Sequence, residues 1–117
     1  MKLKVFGLNK CSTCQKAVAW LNENDLKHSF SDVKEMPLDA AQVSKWSSAL
    51  GGWEKMINRA GYTWRGLSAA DTANLTEKKA VALVLRSPSL IRRPLIEHAD
   101  GSVTVGFSEK VRVQLKP

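Results

Sequence analysis

Residues 2–21 read KLKVFGLNKCSTCQKAVAWL and contain a change of periodicity that predicts two elements of structure. Charged and apolar residues alternate over Lys2–Phe6, which indicates a short strand that ends in a turn at Gly7. From Cys11 onward, the apolar residues instead recur at the spacing of an amphipathic helix. The segment therefore predicts a strand, a short loop and a helix that starts at the first cysteine.

The residues that follow predict a second strand over Leu26–Val33 and then a mainly helical stretch. Pro37 marks the start of the first of these helices and places Asp39 in its first turn. Thr76 is expected to cap a longer helix, which Ser87-Pro88 ends, because a residue that precedes proline disfavours helical backbone. The middle of the chain is thus predicted to be an all-helical insertion.

The last part of the chain predicts a β-hairpin and a short helix. Apolar residues over Leu95–Glu97 and Val103–Val105 flank Asp100-Gly101, a residue pair that is typical of tight hairpin turns. Ser108 then caps a C-terminal helix. The order of the elements predicts an α/β fold with a thioredoxin-like mixed sheet: β-α-β, helical insertion, β-hairpin and C-terminal helix.

Length and composition fit one globular core. The chain has 117 residues, of which 44% are hydrophobic and 25% are charged, so we predict a single domain over residues 1–117 with the helical insertion at about 37–87. No apolar run approaches the roughly 20 residues that span a bilayer, and no signal peptide is recognised. We therefore expect a cytoplasmic monomer that does not bind membranes.

Positive charge exceeds negative charge in this sequence. Lys and Arg number 18 against 11 Asp and Glu, which gives a formal net charge of +7. The basic residues are dispersed rather than clustered, so the charge predicts an anionic partner or substrate but no direct binding of nucleic acid.

The two cysteines form a Cys-x-x-Cys motif at the predicted start of a helix. Unpaired backbone N–H groups and the helix dipole favour an anion there, so the pKa of Cys11 should fall and its reactive thiolate should become more abundant. Lys10 and Lys16 add positive charge nearby. Cys14 lies one turn further on the same side of the helix, where it could resolve a mixed disulfide formed on Cys11. The pattern favours redox chemistry.

The sequence disfavours two other interpretations of the motif and leaves a third open. A zinc site needs about four ligands, and the remaining candidates, His28 and His98, lie far apart in the sequence, so no metal is predicted. The phosphate loop of cysteine phosphatases requires an arginine where this chain has Ala17. The loop and the helix start, including Ser12 and Thr13, could nevertheless hold an oxyanion or a carboxylate. The open alternative is that both cysteines only pack the helix.

A second group of interest is Arg92-Arg93-Pro94. Pro94 precedes the predicted strand Leu95–Glu97, where a cis peptide bond would allow a close approach of the backbone. An arginine immediately before it could project toward the cysteine loop. The alternative is that both arginines are solvated and that Pro94 simply begins an edge strand.

These motifs together resemble those of the arsenate reductase (ArsC)-like family, which includes the Spx regulators and the YffB-type proteins. The resemblance is closest to the YffB-type branch, and it rests on segments distributed along nearly the whole chain: Val5–Gly7, Lys10–Ala17, Gly52–Glu54, Gly61–Arg65, Ile91–Ile96 and Val105–Ser108. It implies a thioredoxin-like fold with a helical insertion, a nucleophilic Cys11, and an oxyanion-binding Arg93 followed by a cis Pro94.

The resemblance also implies a function. We expect a thiol–disulfide oxidoreductase with no bound cofactor, with glutathione as co-substrate and with glutathione or a glutaredoxin-like protein as electron donor. In that case Arg93, Lys10 and the helix start would hold a carboxylate-bearing partner. One alternative is an Spx-like redox switch that binds the C-terminal domain of the RNA polymerase α-subunit. Another is a true arsenate reductase dependent on glutathione and glutaredoxin.

Overall fold

A computed structural model describes residues 2–116. Its four strands form one sheet in the order β2-β1-β3-β4, with these bounds: β1 (Leu3–Gly7), β2 (His28–Asp32), β3 (Leu95–Glu97) and β4 (Val103–Val105). β1 and β2 run parallel, whereas β1–β3 and β3–β4 are antiparallel pairs. The predicted mixed α/β sheet is confirmed.

Helices connect and cover these strands. α1 (Ser12–Glu23) joins β1 to β2, and α7 (Glu109–Leu115) follows β4. Within residues 2–116, five helices lie between β2 and β3, inside the stretch expected to be helical: α2 (Ala40–Leu50), α3 (Trp53–Met56), α4 (Tyr62–Arg65), α5 (Ala69–Thr72) and α6 (Glu77–Arg86). A 3-10 turn, Pro88–Leu90, precedes β3. None of the helices found between residues 2 and 116 is long and apolar enough to cross a membrane.

The sheet is covered on both faces because successive side chains of a strand point to opposite sides. On one face, Val5 of β1 and Ile96 of β3 pack with Leu21 of α1 and Val111 of α7. On the other face, Phe6 packs against the inserted helices. These two apolar clusters fix α1 and α7 on one side of the sheet and the insertion on the other.

Trp46 of α2 anchors the insertion to the sheet. Its side chain is fully buried, and its ring centroid lies 4.9 Å from that of Phe6. The indole Nε1 donates a hydrogen bond of 2.6 Å to a carboxylate oxygen of Glu97 at the end of β3. The buried indole N–H thus has a hydrogen-bond acceptor, which purely apolar neighbours would not provide.

Strand register brings the two predicted functional groups together. In the antiparallel pair of β1 and β3, Phe6 lies opposite Leu95. The residues just after β1 and just before β3 therefore lie next to each other, at the same end of these two strands. The cysteine loop and Arg93-Pro94 are consequently neighbours in space although they are distant in sequence.

Some predicted boundaries are wrong. α2 begins at Ala40 and not at Pro37, because Asp39 has extended backbone (φ −123°, ψ 166°) and its side chain accepts a hydrogen bond of 2.8 Å from the N–H of Gln42. Asp39 is thus the N-cap instead of a first-turn residue. β2 is shorter than the predicted Leu26–Val33. β3 is an interior strand of the sheet, so Pro94 does not begin an edge strand.

Other local signals are confirmed. Thr76 and Ser108 cap α6 and α7 by accepting hydrogen bonds from the N–H groups of Lys79 and Val111. The hairpin forms at Asp100-Gly101, but its turn is centred one residue earlier than predicted, because the N–H of Gly101 donates to the carbonyl of His98 at 3.0 Å; Gly101 then follows the turn with a positive φ of 89°. The sequence pattern does not predict α4, because a four-residue helix is too short to show helical periodicity.

Candidate active site

Cys11 is the N-cap of α1, so its thiol stands at the helix start. Its backbone N–H donates to the carbonyl of Leu8 at 3.1 Å, and its carbonyl accepts from the N–H of Gln15 at 3.0 Å. The backbone is extended (φ −83°, ψ 120°), and the side chain makes no capping hydrogen bond. The half-buried thiol is therefore available for chemistry while the backbone is held at both ends.

The surroundings lower the pKa of the Cys11 thiol. Partial burial is the largest influence and acts in the opposite direction, but the polar groups around the sulfur outweigh it: the backbone N–H of Cys14, the Cys14 thiol, the Arg93 side chain and the backbone N–H of Thr13. Hydrogen bonds to a thiolate favour the charged form. Because the thiolate is the reactive form of a cysteine, the lowered pKa has the direction that the position of Cys11 predicts.

The pKa of Cys14 is shifted in the opposite direction. Burial, the first cause, together with the hydrogen bond and negative charge of Cys11, raises the pKa of Cys14 to about 11, although the Leu8 N–H and the positive charge of Arg93 act to lower it. The side chain is only 1% exposed. Of two thiols one helical turn apart, one therefore has a lowered pKa and the other a raised pKa.

Gly7 provides the space in which Cys14 is buried. A Cβ atom at position 7 would overlap the Sγ of Cys14 and would lie 3.4 Å from a ring carbon of Phe30. The φ of Gly7 is not positive, so the requirement is for space and not for an unusual backbone conformation. The last residue of β1 thus sets the position of the second thiol.

Gly7→Ala is expected to destabilise the protein by about 1–3 kcal/mol, the usual cost of overpacking a core, and to expose Cys14 to alkylation. Chemical denaturation and mass spectrometry after iodoacetamide treatment measure the two effects. Gly66→Ala is a matched control, since its added Cβ would meet no heavy atom closer than 3.6 Å. Equal stability of the two variants would contradict the proposed contact.

Arg93 reaches the cysteine site from the second residue before β3. The Arg93–Pro94 peptide bond is cis, as the sequence suggests. The Nη1 group of Arg93 donates to the carbonyl of Ser89, and the side chain is one of the groups that lower the pKa of Cys11. Within residues 2–116 its Nε atom is buried with no partner. The interpretation of Arg93 as a solvated surface residue is therefore wrong.

The remaining predicted residues occupy different places. The exposed Ser12 and Thr13 lie in the first turn of α1, and the backbone N–H of Thr13 helps to lower the pKa of the Cys11 thiol. Lys10 lines a shallow cavity beside Asp32 and Glu35, on the side of the loop next to β2. The structure brings Arg93, Thr13 and both cysteines together, while Lys10 stays a predicted anion-binding residue at the edge of the site.

Asp32 holds the loop in front of Cys11, a role that the sequence did not suggest. Its carboxylate accepts from the N–H groups of Asn9 and Lys34 at 2.9 and 2.8 Å, and these hydrogen bonds lower its pKa. The Asn9 carbonyl in turn accepts from the Gln15 side chain at 2.9 Å. A carboxylate at the end of a strand parallel to β1 is the only sequence signal that could have identified it.

No candidate metal site is found in the part of the chain that the structure describes. Across residues 2–116, no three His, Cys, Asp or Glu side chains gather closely enough to hold a metal ion. The ring of His28 lies 2.9 Å from the carbonyl of Leu26, and that of His98 lies 2.9 Å from the hydroxyl of Thr104. Neither histidine is near the cysteines.

A thioredoxin-like sheet with a Cys-x-x-Cys motif at the start of its first helix defines the class of this protein. The model of the ArsC family matches residues 6–113. The chain belongs to the ArsC family, which confirms the resemblance inferred from the sequence motifs.

Solved structures and curated proteins agree with this assignment. The structure of a protein named YFFB superimposes with a TM-score of 0.89 at 34% identity, covering 98% of this chain and 99% of that chain. An arsenate reductase (ArsC) related protein from Brucella melitensis gives a TM-score of 0.78 at 32% identity, with 97% and 93% covered. The global transcriptional regulator Spx of Streptococcus mutans is 30% identical over 100 residues, covering 85% of this chain and 72% of that protein.

Proposed function

We propose that this protein is a cytoplasmic, monomeric thiol–disulfide oxidoreductase that uses glutathione. The observation that carries the proposal is the position of Cys11 at the N-cap of α1, where Cys14, Arg93 and the backbone of the first helical turn lower the pKa of its thiol. A thiol so placed loses its proton more readily than a free one, and a second thiol lies beside it. Membership of the ArsC family supports the same chemistry.

In the first step, the Cys11 thiolate attacks one sulfur of a substrate disulfide. A bond forms between the Cys11 sulfur and that sulfur, the substrate S–S bond breaks, and the departing thiolate takes a proton from water. Arg93 and the first-turn N–H groups, which stabilise the thiolate before attack, then hold the carboxylate of the bound partner. No cofactor is required for this exchange.

In the second step, Cys14 loses its proton and attacks the Cys11 sulfur, which releases the remaining substrate thiol and leaves a Cys11–Cys14 disulfide. Two electrons have then passed from the protein dithiol to the substrate. Two glutathione molecules restore the dithiol and become glutathione disulfide. Because burial, the largest cause of the raised pKa of Cys14, favours its protonated thiol, glutathione itself can compete to resolve the mixed disulfide.

The test is a coupled assay with the complete protein, bis(2-hydroxyethyl) disulfide, glutathione, glutathione reductase and NADPH. We expect NADPH consumption to rise in proportion to protein concentration. A rate equal to that of the protein-free mixture would refute the proposal.

Two parallel measurements separate the competing functions. Arsenate with glutathione and glutaredoxin tests an arsenate reductase, which the relation to an ArsC-related protein suggests. Binding to the C-terminal domain of the RNA polymerase α-subunit, compared in the oxidised and reduced states, tests an Spx-like regulator. Redox-dependent binding without disulfide turnover would favour the regulator over the enzyme.

A further inference from the structure

The helical insertion is joined to the segment just before β3 by main-chain hydrogen bonds. The N–H of Arg92 donates to the carbonyl of Met56, and the N–H of Asn58 donates to the carbonyl of Leu90, both at 2.8 Å. The chain between α3 and α4 therefore pairs with this segment much as a short strand would. Because Arg93 is the next residue, its backbone position depends on the insertion as well as on the sheet.

Ser89 provides the hydrogen-bond acceptor for the Arg93 side chain. It is the central residue of the 3-10 turn, whose own hydrogen bonds use the carbonyls of Ser87 and Pro88. The carbonyl of Ser89 accepts instead from Nη1 of Arg93. Within the part of the chain that the structure describes, the buried Nε of Arg93 has no partner, so the contact with Ser89 orients the guanidinium.

Thr63 holds Ser89 from the side of the insertion. The hydroxyl groups of these two half-buried residues lie 2.9 Å apart and share a hydrogen bond. Thr63 belongs to α4, which is itself anchored because Trp64 packs against the apolar cluster that includes Phe6. The hydrogen bond therefore connects a packed helix to the turn whose carbonyl holds Arg93.

We propose that Thr63 is a positioning residue of the candidate active site, which fixes the guanidinium of Arg93 beside Cys11 through Ser89. The inference rests on the proposed function, in which Cys11 is the reactive thiol. Among the described residues, the titratable or charged side chains that act on this thiol are Cys14, from the same helix, and Arg93, from the segment before β3. A displaced guanidinium would therefore change the electrostatic environment of the Cys11 sulfur directly.

Thr63→Val removes the hydroxyl and keeps the shape of the side chain. We expect iodoacetamide to alkylate Cys11 about two- to fivefold more slowly in this variant at pH values below the pKa of Cys11, because one neutral hydrogen bond is lost and Arg93 is loosened but still present. Above that pKa the rates should converge, since the thiolate is then fully formed. Mass spectrometry that locates the carbamidomethyl group gives the rate at each pH.

Ser89→Ala removes the other partner of the same hydrogen bond and leaves the carbonyl that Arg93 uses. It should slow alkylation by the same factor, and the double variant should be no slower than either single variant, because the two hydroxyls form one interaction. Thr72→Val is the matched control, since the Thr72 hydroxyl lies 3.4 Å from carbonyl oxygens at the start of its own helix, α5. Its alkylation profile should equal that of the unmodified protein.

The Arg93→Met background distinguishes positioning from a general loosening of the insertion. If Thr63 acts through the guanidinium, Thr63→Val causes no additional slowing once Arg93 is replaced. Slowing of the same size in that background would overturn the proposal. So would a slowing in Thr72→Val equal to that in Thr63→Val, or unchanged profiles in both Thr63→Val and Ser89→Ala.

These outcomes are separate from those of the disulfide assay, because alkylation requires neither glutathione nor a substrate disulfide. Slower alkylation of Thr63→Val, with no disulfide turnover by the unmodified protein, would support the positioning role and refute the oxidoreductase. Disulfide turnover by the unmodified protein, with normal alkylation of Thr63→Val, would refute the positioning role and leave the oxidoreductase intact.

Discussion

Cys11→Ser is expected to abolish disulfide turnover, with a loss of at least about a thousandfold, because a serine hydroxyl is not ionised at neutral pH and cannot form the mixed disulfide. The substitution changes one atom on a half-buried residue, so the fold should be retained. The coupled glutathione assay measures the rate, and circular dichroism checks the fold. Turnover near that of the unmodified protein would remove Cys11 from the mechanism.

Cys14→Ser is the matched variant, since it has the same change of atom one turn away. We expect it to keep the first exchange and to accumulate a mixed disulfide on Cys11, because the internal thiol that would release it is missing. Mass spectrometry after brief exposure to glutathione disulfide should show one glutathionyl group on this variant and none on Cys11→Ser. If Cys14→Ser fails to trap the adduct at limiting glutathione, Cys14 is not the resolving thiol.

Arg93→Met is expected to raise the pKa of Cys11, because the thiolate is the form that Arg93 stabilises. A contact with a charged group at a partly exposed thiol contributes about 1.5 kcal/mol, the lower end of the usual range, and about 1.4 kcal/mol corresponds to a factor of ten. At pH values below both pKa values, alkylation of Cys11 should therefore be roughly tenfold slower in the variant, and above both the rates should converge.

The pH profile of iodoacetamide alkylation measures this shift. Arg92→Met is the matched control, since Arg92 is the exposed neighbour and does not contribute to the pKa of Cys11. Arg93→Lys keeps the charge but loses the planar guanidinium, so its profile should lie between those of the unmodified protein and Arg93→Met. An unchanged profile in Arg93→Met would show that the first-turn N–H groups alone activate the thiol.

The strand, loop and helix at the start of the chain could be predicted from residues 2–21, because each depends on neighbouring residues. Alternation over β1 and helical spacing over α1 place Cys11 at a helix start before any contact is known. The capping residues Thr76 and Ser108 and the Asp100-Gly101 turn are similarly local signals. The start of α2 was mispredicted because Pro37 and Asp39 each fit more than one position near a helix start.

The sequence by itself therefore determined the order of the strands and of the longer helices and the identity of the candidate nucleophile, because periodicity, capping and turn formation act over a few residues. The tertiary structure decided what surrounds that nucleophile. The antiparallel pairing of β1 with β3 brings Arg93 to Cys11, and the absence of a side chain at Gly7 allows Cys14 to be buried. Such contacts join distant segments through the packing of the whole sheet, so no local pattern could reveal why two cysteines of one short motif have opposite shifts in pKa.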